Sequence, residues 1–203
     1  MPLLRATPAQ SPAQHWEPVL PPVQPIRRRL LAALGLLSLL QACSPLRLIN
    51  ALVPNGSHTL IESLAYGAEA RQRMDVYLPK PAVQGAAMVV FFYGGSWSSG
   101  DRADYKFVGE ALAARGIVAV IADYRLSPAV RYPVFLQDSA LAVQRALNES
   151  PAWGVASGRV FLMGHSAGAY NAAMLALDPR WMSGAGLRRE RIAGWIGLAG
   201  PYD

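Results

Sequence analysis

The 203 residues are 52% hydrophobic and 16% charged, enough for one globular domain with a real core and too apolar for a disordered chain. Four of the 19 basic groups (Arg5, Arg27, Arg28, Arg29) and one of the 13 acids (Glu17) fall in the first 29 residues, so the net charge of +6 drops to +3 over the rest, where no Lys/Arg block with interleaved aromatics offers nucleic acid a footprint. A single cysteine, Cys43, leaves no internal disulfide and no thiolate zinc site.

In chain order, Arg27 to Arg29 come before an apolar run over residues 30–40, followed by Gln41-Ala42-Cys43-Ser44. A positive segment, an apolar stretch and a small residue before a cut site describe a secretory signal, and the run is shorter than the roughly 20 residues of a membrane-spanning helix. Leu40-Gln41-Ala42-Cys43 resembles a bacterial lipobox. Residues 1–42 are therefore expected to be a leader and signal peptide, and Cys43 the acylated first residue of an exported, membrane-anchored envelope protein facing the periplasm. Each buried CH₂ of such chains contributes about 0.8 kcal/mol; the alternative is a secreted protein with no anchor. Seven prolines in residues 1–25 make the leader long and disordered by composition. Residues 43–57, with Pro54-Asn55-Gly56-Ser57, read as a tether to a domain over residues 58–203.

Two short stretches, residues 59–66 and 72–78, read as antiparallel strands around Gly67, the second ended by Pro79 and Pro81. Buried strands then alternate with helices: a strand over 86–92, a helix over 105–115 closed by Gly116, a strand over 117–122, a helix over 134–148, a strand over 160–163, a helix over 167–177 and a strand over 192–198. Strands without polar alternation must be covered on both faces, and strand-helix-strand order gives a parallel sheet with right-handed crossovers, so the class is α/β.

Gly164-His165-Ser166-Ala167-Gly168 sits where the third parallel strand turns into a helix. A serine there needs strained backbone to expose its hydroxyl, and small residues two positions either side let strand and helix approach, which marks Ser166 as a nucleophile. After the first parallel strand comes Tyr93-Gly94-Gly95-Ser96-Trp97. Glycines at that point let backbone N–H groups face a tetrahedral oxyanion, each donor contributing roughly 3 kcal/mol to lowering the barrier.

These residues resemble the carboxylesterase and hormone-sensitive-lipase-like group of α/β-hydrolases, near its feruloyl-esterase-like and prenylcysteine-methylesterase-like members. The resemblance runs over about residues 60–203 through Met74-Asp75-Val76-Tyr77-Leu78-Pro79, the glycine loop, Gly100-Asp101, Asp123-Tyr124-Arg125-Leu126, Tyr132-Pro133, Gln137-Asp138, the elbow and Gly200-Pro201-Tyr202-Asp203. It implies an α/β-hydrolase sheet, with two antiparallel strands leading into parallel strands that carry helices on both faces. It also implies hydrolysis of a small-molecule ester with no cofactor, with Gly95, Ser96 and Ala167 as oxyanion donors and Asp123 ordering its loop with Arg125. Tyr93 stands where the family usually carries His, a change that touches the loop's supporting hydrogen bonds rather than its donors. Trp97 is placed to line an acyl site.

In this superfamily the order is Ser, then Asp or Glu, then His. After Ser166 the acids are Asp178, Glu190 and Asp203, and no histidine follows; His165 reads as packing, while His15 and His58 lie far upstream. The resemblance places the acid after the seventh strand and the histidine after the eighth, so the sheet is expected to lack its last strands and helices and the chain alone to be nearly inactive and poorly stable. Two other readings stay open: an amide hydrolase resembling kynurenine formamidase, and a noncatalytic surface lipoprotein.

Overall fold

The computed structural model describes residues 49–54 and 56–202. The leader, Cys43 and Asp203 lie outside them. Six strands, β1 (His58–Ala65), β2 (Arg73–Pro79), β3 (Ala86–Phe92), β4 (Val118–Ala122), β5 (Val155–His165) and β6 (Gly194–Leu198), form one sheet in the order β1-β2-β4-β3-β5-β6. β1 and β2 pair antiparallel, β2 runs antiparallel to β4, and β4, β3, β5 and β6 are parallel.

The apolar runs take the centre of this sheet. Every residue of β4 is fully buried, as are Met88, Val90, Phe91 and Phe92 of β3, and each such Val, Ile, Met or Phe contributes about 1.5–3 kcal/mol by leaving water. The helices are α1 (Lys106–Ala113), α2 (Val134–Glu149), α3 (Ala167–Leu177) and α4 (Pro179–Gly184). From β3 to β4 the chain steps one way along the sheet and from β4 to β5 the other, so right-handed crossovers put α1 on one face and α2 on the opposite one. α1 packs on β2 and β4, whereas α2, α3 and α4 pack on one another. Gly109 lets α1 sit on β2, since a Cβ there would come within 2.5 Å of the Tyr77 ring.

Several expected boundaries shift. The helix expected over 105–115 opens as a 3-10 turn (Arg102–Tyr105) whose first free N–H groups are met by Asp101, which accepts from Ala103 N (2.9 Å). β5 is longer than the expected 160–163 because Val155 pairs with Ala86 before a register shift, although Ser157, Gly158 and Arg159 are exposed. The short helix α4 was not expected. Asp178 accepts from Arg180 N (3.0 Å) as its N-cap and Pro179 fills its first turn, a recognisable start signal. Among the described residues β6 pairs only with β5, and Ile196 and Leu198 are 46% and 43% exposed.

Candidate active site

The parallel strands end on one edge of the sheet, and β3 and β5 end side by side, with Phe92 in register with Gly164. The chain leaving β3 therefore starts against the chain leaving β5. Ser166, the candidate nucleophile, lies between β5 and α3 at φ 51, ψ −120, a left-handed conformation costly for a residue with a side chain. Its N–H donates to Leu198 O (2.8 Å) and its carbonyl accepts from Ala169 and Tyr170 N, so bonds on both sides hold the turn. Glycine is required at both flanks. A Cβ on Gly164 would lie 2.1 Å from Gly168 O, and one on Gly168 2.1 Å from Phe92 O.

The glycine loop meets this elbow directly: a Cβ on Gly94 would be 2.9 Å from Ser166 Cβ. Gly95, Ser96 and Trp97 all have positive φ (132, 51 and 55), which turns the peptide groups of the loop out of the strand pattern. The Gly95 carbonyl accepts from Ser98 and Ser99 N (both 3.0 Å). The N–H groups of Gly95, Ser96 and Ala167 donate to no acceptor among the described residues; for Ala167 this follows from its place in the first turn of α3.

Tyr93 does not leave the loop unsupported. Its hydroxyl accepts from Arg71 Nη2 (2.6 Å), its ring stacks on Tyr124 at 4.8 Å, and its carbonyl accepts from the Tyr124 hydroxyl (2.7 Å). Burial raises the pKa of both phenols, keeping them neutral. On the other side, Trp97 Nε1 donates to Asn171 Oδ1 (2.9 Å), and Asn171, fully buried on α3, passes on to Ser139 Oγ (3.3 Å) and from there to Phe135 O (2.8 Å). The Trp97 ring stacks on Phe135 and meets Tyr170 edge-on. A cavity of about 400 Å³ opens beside the loop, walled in part by Ala70, Ser98, Leu126 and Ala129.

The expected pairing of Asp123 with Arg125 is corrected. Asp123 binds Arg102, through both the backbone N–H (2.9 Å) and the guanidinium, and lies 3.5 Å from Arg71. Arg125 is taken by the fully buried Asp138 (2.8 and 2.9 Å) and by Glu69. The reason is burial: Asp138 has no exposure at all and needs a charged partner. Arg102 also reaches Asp75 (2.9 Å). Burial opposes its charge, but the hydrogen bonds to Asp75 and Asp123 outweigh this and raise its pKa.

Neither described histidine touches Ser166 Oγ. His165 Nδ1 lies 3.0 Å from the Tyr105 hydroxyl, which accepts from Gly94 N (3.4 Å). His58 begins β1, opposite Pro79. It lies at the other end of the sheet, four strands from β5 or roughly 19 Å at about 4.8 Å per strand, and pairs with Glu110. Asp178 is spent on capping α4 and on Arg180.

The BD-FAE family model matches residues 74–183. A probable isoprenylcysteine alpha-carbonyl methylesterase from Oryza sativa subsp. japonica is 30% identical over 151 residues, 72% of this chain and 36% of that protein. A kynurenine formamidase from Danio rerio is 29% identical over 147 residues, 72% of this chain and 47% of that protein. Esterase B from Lactobacillus rhamnosis superposes with a TM-score of 0.68 at 21% identity, over 83% of this chain and 58% of that one. The chain spans about a third of the length of the plant methylesterases it matches. The family match and the sheet together place this chain in the BD-FAE family, within the carboxylesterase and hormone-sensitive-lipase-like group of α/β-hydrolases.

Proposed function

We propose that this chain carries the nucleophile and the oxyanion site of a carboxylic ester hydrolase acting on a small-molecule ester. Ser166 Oγ attacks the carbonyl carbon and gives its proton to a base. The carbonyl oxygen takes the negative charge and is met by the N–H groups of Gly95, Ser96 and Ala167; collapse expels the alcohol and leaves an acyl-serine that water cleaves. Serine, water and backbone donors balance this chemistry without a cofactor. The observation that carries the reading is Ser166 held at positive φ against Gly94, with those three N–H groups free of acceptors among the described residues.

No described residue is placed to accept the Ser166 proton, and no histidine follows Ser166 in the sequence. The 203-residue chain by itself is therefore expected to turn over esters slowly, with a residual advantage of about 10³ over water from oxyanion stabilisation and binding. Slow deacylation makes the intermediate visible. After incubation with an activated aryl ester, mass spectrometry should find the acyl group on the peptide holding Ser166 and none on that peptide in Ser166→Ala; no acyl group on that peptide in the unsubstituted chain, or an equal one in the variant, removes Ser166 from the mechanism and leaves a noncatalytic module. The formamidase relative favours a second reading, cleavage of an N-formyl amide, and comparing a formyl anilide with an aryl ester of matched leaving group separates the two.

Export to a bacterial envelope and a lipid on Cys43 belong to the same proposal. Mass spectrometry of the membrane fraction should find no peptide from residues 1–42 and a diacylglyceryl mass on Cys43; an unmodified Cys43 in soluble protein refutes the anchor.

A further inference from the structure

We infer that Arg71 is a positioning residue for the oxyanion loop, a single guanidinium that ties the two ends of residues 93–100 to each other and to the chain leaving β4. The inference rests on the reading of that loop as the oxyanion site.

The loop needs such a tie. Gly95, Ser96, Trp97 and Gly100 all have positive φ, and non-glycine residues held there cost about 1–3 kcal/mol each unless their surroundings fix them. Ser96, Ser98 and Ser99 are exposed, so at the tip only the Trp97 ring is packed, and its contacts with Phe135, Tyr170 and Asn171 do not reach the two ends of the loop. Its two ends nevertheless touch: a Cβ on Gly100 would lie 2.6 Å from the Tyr93 ring and 2.7 Å from Gly94 O.

Arg71 comes from the connection between β1 and β2, outside the elbow and the loop alike. Its Nη2 donates to the Tyr93 hydroxyl (2.6 Å) at the start of the loop and to Gly100 O (2.8 Å) at its end, while Nε donates to Tyr124 O (3.0 Å). Asp123, 3.5 Å away, balances the charge. Three acceptors in three directions suit the planar fork of a guanidinium; the compact ammonium of lysine keeps the charge but cannot reproduce the fork. Tyr93 thereby gains a meaning: its hydroxyl extends the first residue of the loop far enough to be gripped.

The test follows amide hydrogen exchange in the full chain. Gly94, Ser98 and Ser99 have hydrogen-bonded amides that report on the loop, and the amides of β3 and β5 report on the sheet. In Arg71→Ala the loop amides should exchange about tenfold faster or more, the change expected from losing charge-assisted hydrogen bonds, with the β3 and β5 amides unchanged. The Arg71 side chain is about a third exposed (34%), so guanidinium ion added at low concentration should enter the vacated place and restore protection. Arg71→Lys should recover only part of it, and Tyr93→Phe, which removes one of three acceptors, should lose less than Arg71→Ala. Unchanged loop amides in Arg71→Ala, equal acceleration in loop and strands, or full recovery by Lys each overturn the inference. If Ser166 acylates, its maximal acylation rate should fall in Arg71→Ala while the half-saturating ester concentration stays fixed. If wild type does not acylate at Ser166, the catalytic reading fails and the exchange result still decides the role of Arg71.

Discussion

The elbow at Ser166 and the loop at Gly95 to Trp97 hold the same kind of strained backbone and share one device, a glycine pressed on main chain (a Cβ on Gly95 would lie 2.1 Å from Ser99 O), but differ in what else holds them. In the elbow the restraint is main chain against main chain: the flanking glycines bring Gly168 under Phe92 O and Gly164 against Gly168 O, both closer than any Cβ allows. In the loop much of the restraint comes from elsewhere in the chain: Arg71 reaches both of its ends, Tyr105, Tyr124 and Asn171 reach one point each, and Ser127 N donates to Trp97 O (2.7 Å). A turn fixed by backbone contact tolerates almost no change at its glycines. A loop fixed by several remote hydrogen bonds can lose one and weaken by degrees.

The largest expected effect is therefore Gly168→Ala. The added methyl meets Phe92 O and Tyr93 O, backbone atoms that cannot rotate away, and overpacking of this kind costs about 3 kcal/mol. A urea melt should show that loss or a transition that is no longer cooperative; an unchanged midpoint would mean that the elbow yields as readily as the loop. Next is Asn171→Leu, which strands the Trp97 indole N–H and costs about 1–3 kcal/mol. Here the comparison sharpens, since the Trp97 indole proton should exchange faster while the Ser166 amide, bonded to Leu198 O, keeps its protection. Tyr124→Phe removes only the bond to Tyr93 O and should cost about 1 kcal/mol, read as a small drop in melting temperature with the ring stack intact.

The same contrast explains what the sequence discloses. The elbow is legible because five consecutive residues and an adjoining apolar strand make it, and β3 and α3 begin and end where the pattern of residues 86–92 and 167–177 puts them. The loop's glycines are legible too, but not its support: nothing local in Arg71 or Asn171 says that either will reach residues 22 or 74 positions away. The same holds for Asp123: the resemblance implies Arg125 as the residue that acts with it, whereas the fold delivers Arg102 from 21 positions upstream. The helix α4 is a different case. Asp178-Pro179 is a local start signal, an N-cap carboxylate followed at once by the residue that favours a first helical turn.

The smallest effect lies at the far end of the sheet, where neither strain nor catalysis is at stake and the site should not notice. Glu110 on α1 accepts from Ser57 N (3.4 Å) and pairs with His58, whose ring packs 4.9 Å from that of Tyr77. Burial by itself pushes this carboxyl up, but the hydrogen bonds from Ser57 and His58 outweigh it and hold the pKa below the ordinary 4.5. A carboxyl depressed in the folded state binds its proton more weakly there than in the unfolded chain, so its contribution is present above the ordinary value and is lost as pH falls through the folded one. Between pH 7 and 5 wild type should melt higher than Glu110→Gln by the equivalent of about 1 kcal/mol, and the gap should close as pH falls below the ordinary 4.5 and through the folded value. Loop and elbow amides should exchange alike in both proteins at every pH. A gap between the melting curves that does not narrow at all as pH falls below the ordinary 4.5 would show that Glu110 acts through packing and not through its charge.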